Sequence, residues 1–222
     1  MERQVLNPFL ENWKRVLGTA PSPLKSIRVL SGVATILNGK VLLRCPVGDD
    51  TPDGFYKMAG TENRLIPVTD WEDHRMWETS SYWNMRSSEL YRFFPDVEQF
   101  NPRFEGLVPF CCLDKSTMRG MISICEHVRR YDGTVLMGDQ FITMRQKPKE
   151  DITLVHNFSI PNGDEYCIGP EELKLALIEM MRYDQVYLSR KQSDRDQPLV
   201  LGLNWGQCAL VKVSVCNQYR EG

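Results

Sequence analysis

The sequence predicts an α+β fold: an antiparallel sheet built from hairpins with about four helices packed on it, forming one globular domain over residues 1–222. Three observations carry this reading. Asn38-Gly39 lies between two apolar runs, the tail alternates apolar and polar residues, and residues 169–181 carry a broad helical stripe. The order of helix, hairpin, helices, strands, helix and hairpin lacks the βαβ alternation of a parallel sheet.

Asn7-Pro8 opens the first helix, with Asn as N-cap and Pro at the first helical position. Phe9, Trp13, Val16 and Leu17 recur at helical spacing, and Gly18 ends the element. Asn38-Gly39 then suits a two-residue type I′ turn that pairs Leu37 with Lys40. Ile36/Val41, Ala34/Leu43 and Gly32/Cys45 would share an apolar face, while Val33/Arg44 and Thr35/Leu42 face a partly wet side. Turn formers between Pro46 and Gly60 predict a surface loop. A second helix is expected from Thr69-Asp70-Trp71-Glu72, and a short one from Ser87 to Pro95. Residues 106–113 read as a buried strand, with Pro109 marking an edge or a bulge.

Residues 118–130 admit two readings. As a helix, Met118, Met121, Ile122, Cys125 and Val128 form one stripe, capped by Asp114 or Ser116 and ended by Arg129-Arg130. As a strand turning through Asp132-Gly133, the segment sets Glu126 opposite Asp139, a repulsive pair without a cation. Length and caps favour the helix. Strands are expected at 134–144 and 152–160, then a helix from Gly169-Pro170 with Leu173, Ala176, Leu177, Met180 and Met181 inward. In the tail, Leu199, Leu201, Leu203 and Trp205 face Val211, Val213 and Val215, and this odd-to-odd parity demands an odd loop or a bulge near Gly206–Cys208. No internal repeat is apparent.

The charge is near balance, 27 Lys+Arg against 29 Asp+Glu, so neither a nucleic acid nor an anionic membrane is demanded as partner, although a local basic face remains compatible with that total. No signal core or apolar run long enough to span a membrane occurs. Seven dispersed cysteines without paired spacing favour free thiols and an intracellular setting, cytoplasm or nucleus.

No phosphate loop, dinucleotide fingerprint, nucleophile elbow or zinc-protease helix is present, and no cofactor or metal is expected. Trp71, Trp77 and Trp83, with Arg75 and Arg86 among them, are the candidate partner-binding residues, because aromatic rings beside guanidinium groups suit a protein surface or stacked bases. Packing of those rings within the core is the stronger reading of the same residues. The expected function is a non-enzymatic binding or assembly protein acting through protein contacts or self-assembly, of the kind viruses encode as structural or host-interaction proteins. One alternative is a magnesium- or manganese-dependent nuclease using Glu126, Asp139 and Lys147. A thiol enzyme is the other.

Overall fold

The computed structural model describes residues 8–19, 27–38, 40–48, 50–58, 65–67, 107–130, 134–138, 141–145, 152–155, 166–190, 198–211 and 213–215. Three helices lie among them: α1 (Pro8–Thr19), α2 (Lys115–Arg130) and α3 (Pro170–Met180). The strands are β1 (Ile27–Leu30), β2 (Val33–Leu37), β3 (Val41–Pro46), β4 (Gly54–Met58), β5 (Leu65–Pro67), β6 (Val108–Asp114), β7 (Thr134–Gly138), β8 (Phe141–Arg145), β9 (Ile152–Val155), β10 (Tyr166–Ile168), β11 (Gln185–Arg190), β12 (Leu199–Asn204), β13 (Gln207–Val211) and β14 (Val213–Val215). They build a nine-stranded sheet, β5-β4-β1-β2-β3-β13-β12-β11-β6, and a five-stranded sheet, β14-β10-β7-β8-β9. The described pairings are antiparallel, as the sequence predicts.

The hairpin at Asn38-Gly39 forms with a different register. Leu37 pairs with Leu42 and Ile36 with Leu43, two residues away from the predicted pairing. The Asn38 side chain explains the longer loop, because its Oδ1 accepts the backbone N–H groups of Lys40 (3.1 Å) and Val41 (2.9 Å). A slip of two residues leaves every side chain on its predicted face. The expected wet face is nevertheless covered, with Thr35, Leu37 and Leu42 all buried. The two-residue turn with positive φ at both positions occurs one connection earlier, at Ser31 (φ 50°) and Gly32 (φ 71°) between β1 and β2.

Other boundaries also change. The segment 46–60 read as a loop contains β4, which pairs with β1 and buries Tyr56. The single strand expected over 134–144 is a hairpin of β7 and β8. The tail keeps its predicted odd parity, Leu199 opposite Val211 and Leu201 opposite Ala209, through a register shift between Gly202 and Asn204 rather than through a longer loop. The apolar run 211–215 does not form one strand: Val211 ends β13 in the large sheet and Val213 begins β14 in the small one. β6 lies at an edge and has a register shift opposite Leu188/Ser189, as Pro109 predicts.

Residues 115–130 are helical. The Thr117 N–H donates to Asp114 Oδ1 at 2.7 Å, which satisfies one of the open donors of the first turn. Met118, Met121 and Cys125 are buried while Ser116, Arg119, Ser123 and Glu126 are exposed. Each buried Met contributes about 1.5–3 kcal/mol of apolar transfer energy. α3 starts at Pro170 after an extended Gly169, as predicted, and buries residues around most of its circumference. It packs on β3, β12 and β13 and lies against both α1 and α2, while α2 packs on β6 and on the five-stranded sheet. One core cluster joins all three helices and both sheets.

Candidate functional site

The topology holds an internal repeat that the sequence does not reveal. Residues 108–155 run strand, helix and three strands (β6-α2-β7-β8-β9), and residues 166–211 repeat the order (β10-α3-β11-β12-β13). The two units exchange their first strands. β6 pairs with β11 of the second unit, and β10 pairs with β7 of the first. The reciprocal pairing sets α2 beside α3. A third, partial unit, α1-β1-β2-β3, adds its last strand to β13 and so extends the large sheet.

The helical layer is fastened by charge. Lys174 Nζ of α3 reaches Glu126 Oε1 of α2 at 2.9 Å, Arg129 reaches Glu171 at 3.0 Å, and Lys40 reaches Glu172 at 3.0 Å. The acids at the α3 N-terminus therefore meet cations from α2 and from the β2–β3 turn, and they also suit the positive end of the helix dipole. Between α1 and α3 the carboxylate of Glu179 is fully buried. It accepts Trp13 Nε1–H at 3.0 Å, Asn12 Nδ2–H at 3.4 Å and the Nε–H of Arg182. The Arg182 guanidinium lies 3.8 Å from the Phe9 ring centroid. The sequence reading missed this cluster, although a Glu inside an apolar stripe with Arg three residues later is a visible signal for it.

The strand pairing on which the nuclease alternative rests is corrected: Glu126 lies on a helix, paired with Lys174, and β7 pairs with β8 and β10 instead of with residues 122–130. Asp139 and Lys147 themselves lie outside the described residues. Among the described residues no three His, Cys, Asp or Glu side chains converge as a metal site.

The thiols argue in the same direction. Burial pushes Cys111, Cys125 and Cys208 up to about 12, and it raises Cys45 well above its ordinary value with help from the Glu179 charge. A thiol held protonated is a poor nucleophile. Cys112 is exposed and free. Cys167 is disulfide-bonded, which overturns the expectation that all seven thiols are free. The candidate partner-binding residues Trp71, Trp77, Trp83, Arg75 and Arg86, like the two helices expected near Thr69 and Ser87, lie outside the described residues. No helix among the described residues is long and apolar enough to cross a membrane.

No protein-family model and no curated protein matches the chain. Solved structures do. The chain is similar to the Helicobacter pylori beta clamp bound to a DNA ligase peptide, with a TM-score of 0.52 and 9% identity over 92% of this chain and 62% of that one. It is similar to DNA polymerase III subunit beta from Borrelia burgdorferi, with a TM-score of 0.50 and 9% identity over 92% and 61%. The Pseudomonas aeruginosa DNA polymerase sliding clamp gives 0.49 at 12% identity over 94% and 65%. The fold resembles that of the Helicobacter beta clamp and of the Borrelia polymerase subunit. The chain spans less than two thirds of the length of these clamps, and at such identities the likeness is one of fold.

Proposed function

We propose that the chain is a clamp-like scaffold, a non-enzymatic protein that works through protein contacts and self-association. The observation that carries the reading is the pair of strand-exchanged units with their helices side by side, taken with the fold likeness to the Helicobacter beta clamp and the Borrelia polymerase subunit. The solved Helicobacter clamp holds a DNA ligase peptide, and partner peptides are the ligands this reading assigns to the present chain. The edge strands β9 and β14 of the small sheet lack a second neighbour among the described strands, which suits assembly by strand addition. Double-stranded DNA is a candidate ligand of the same assembly, with Arg119 and Arg129 on the exposed side of α2. An intracellular location remains part of the proposal on the strength of the clamp-like fold alone, since the Cys167 disulfide removes the all-thiol argument for it, and the viral origin stays a proposal beside it.

Sedimentation across a hundredfold concentration range, with and without duplex DNA, tests the scaffold reading. A self-associated species and no DNA cleavage in magnesium or manganese are expected. A strict monomer that hydrolyses DNA would overturn it.

A further inference from the structure

The two margins of the nine-stranded sheet are built differently. β5 is three residues long and ends on Pro67, a short, proline-closed edge of the kind that resists further pairing. β6 at the opposite margin is seven residues long, and Val108–Leu113 carry no charged side chain. Pro109 and the register shift opposite Leu188/Ser189 guard only its first half. From Cys111 to Asp114 the strand keeps unbroken register with β11, and its other side has no neighbour among the described strands. Such an edge presents a row of backbone N–H and C=O groups to another strand.

Cys111 and Leu113 face the core beneath α2, so Cys112 faces away from the helices. It lies opposite Tyr187 of β11; both residues are exposed, Tyr187 at 46%, and the thiol is free. Beyond Tyr187 at the same level stands Gly202 of β12, which has no side chain to cover the ring. The strand is also its own complement. A two-fold axis normal to the sheet joins antiparallel edges with like faces together, so it must pass through a residue and not between two. An axis at Cys111 would set Pro109, which has no N–H, opposite Leu113 of a second copy. At Cys112 it pairs Phe110 with Asp114 and Cys111 with Leu113, and Pro109 falls outside the ladder. Charge does not oppose this register. The two Asp114 carboxylates stand about 14 Å apart along the strands, beyond the screening length of about 8 Å at physiological ionic strength. Each already accepts the N–H of Thr117 in its own chain.

We infer that two copies of this chain join through β6, antiparallel about a two-fold axis at Cys112, so that two nine-stranded sheets become one continuous sheet. Tyr187 and Cys112 of one copy and Cys112 and Tyr187 of the other then form one row across four adjacent strands. The row covers the most exposed large apolar residue among those described. The inference rests on the self-association part of the proposed function and names the surface that performs it.

Charge placed at the axis tests this in the full chain. Residue 112 is exposed in the single chain, so Cys112→Lys and Cys112→Asp should each fold, which circular dichroism checks. Like charges then meet across the axis, and sedimentation should show each variant dimerising about tenfold or more weakly than the unaltered chain. An equimolar mixture of the two variants should restore a dimer holding one of each. Diamide, which takes up the two thiol hydrogens, should link the unaltered chain into a dimer-mass species through Cys112, and Cys112→Ser should lose that species. Weakening without rescue on mixing would overturn the two-fold register. A dimer that neither charge weakens, or that diamide does not link through Cys112, would place the interface elsewhere and leave self-association standing. A strict monomer would overturn both.

Discussion

The buried Glu179 cluster supplies the sharpest energetic prediction. Glu179→Ala removes a carboxylate that is fully buried and receives three donors. The Arg182 side chain, 17% exposed, would be left without its anion, and Trp13 Nε1–H would lose its acceptor beneath α1. Breaking a buried ion pair from one side costs about 3–5 kcal/mol, and each orphaned donor about 1–3 kcal/mol, with the two contributions overlapping. A net loss of about 4 kcal/mol is expected, a large share of the roughly 5–15 kcal/mol that holds a typical domain folded. The assay is urea unfolding followed by far-ultraviolet dichroism, and the midpoint should fall with little change in slope. A companion variant separates charge from packing: Glu179→Leu combined with Arg182→Met removes both ions and should recover most of the loss. A loss below about 1 kcal/mol in Glu179→Ala, or a double variant no better than the single one, would refute the argument that a desolvated pair ties α1 to α3.

Three further outcomes follow from other sites. Gly202→Ala should destabilise by about 1–3 kcal/mol in the same urea assay, because a Cβ there would lie 2.5 Å from the Gln207 carbonyl oxygen and 2.6 Å from Cys208 Cβ at the bulged hairpin; a neutral substitution would contradict this close approach. Glu126→Gln should lower stability slightly, by less than about 1 kcal/mol, since the half-exposed side chain keeps an acceptor for the largely buried Lys174 but loses its charge, whereas a rise in melting temperature would revive the repulsive strand pairing. The buried thiols make stability fall in alkali: their protonated forms persist in the fold up to about 12 against an ordinary 9.0, so their contribution is complete below pH 9 and is lost as pH climbs toward 12, and a flat urea midpoint over that window would count against their burial.

What the sequence made legible was local. The stripes of α1, α2 and α3, the Asp114 cap and the Gly169-Pro170 start all depend on neighbours within a few residues, and all are found. That the β12–β13 hairpin needs a bulge was readable too, because parity along two strands is a counting argument, but its place between Gly202 and Asn204, ahead of the expected Gly206–Cys208, was not. Register at Asn38 was not, since the Asn side chain competes for the same N–H groups that a two-residue turn would leave to the ladder. The run 211–215 misled for a different reason: its alternation is continuous, yet two sheets share it on either side of residue 212. The repeat was hidden because its equivalence lies in strand pairing. α2 is amphipathic while α3 is buried around most of its circumference, so the two units show little common pattern. The Glu179 cluster joins positions more than 160 residues apart in sequence, beyond any local rule, although the charged pair Glu179 and Arg182 is visible in the stripe.

Strand exchange also makes a claim about cooperativity. β6 completes the large sheet, while the α2, β7, β8 and β9 that follow it belong to the other side of the molecule. β10 does the reverse, pairing with β7 before α3 leads into the large sheet. If the other unit unfolds, β6 loses β11, its one partner among the described strands, and β10 keeps only the three-residue β14, so opening one unit exposes strand edges and the α2–α3 contact together. Loss of those pairings at once, with burial of Met118, Met121, Leu173 and Leu177 in one shared cluster, should couple the units into a single transition. The measurement compares far-ultraviolet dichroism with the reactivity of Cys125 and Cys208, which sit on α2 and on β13, along the same urea gradient. Coincident curves are expected. Exposure of Cys125 at a urea concentration where Cys208 is still protected would show that the two units unfold separately, and the exchanged strands would then have to be weaker ties than the pairing implies.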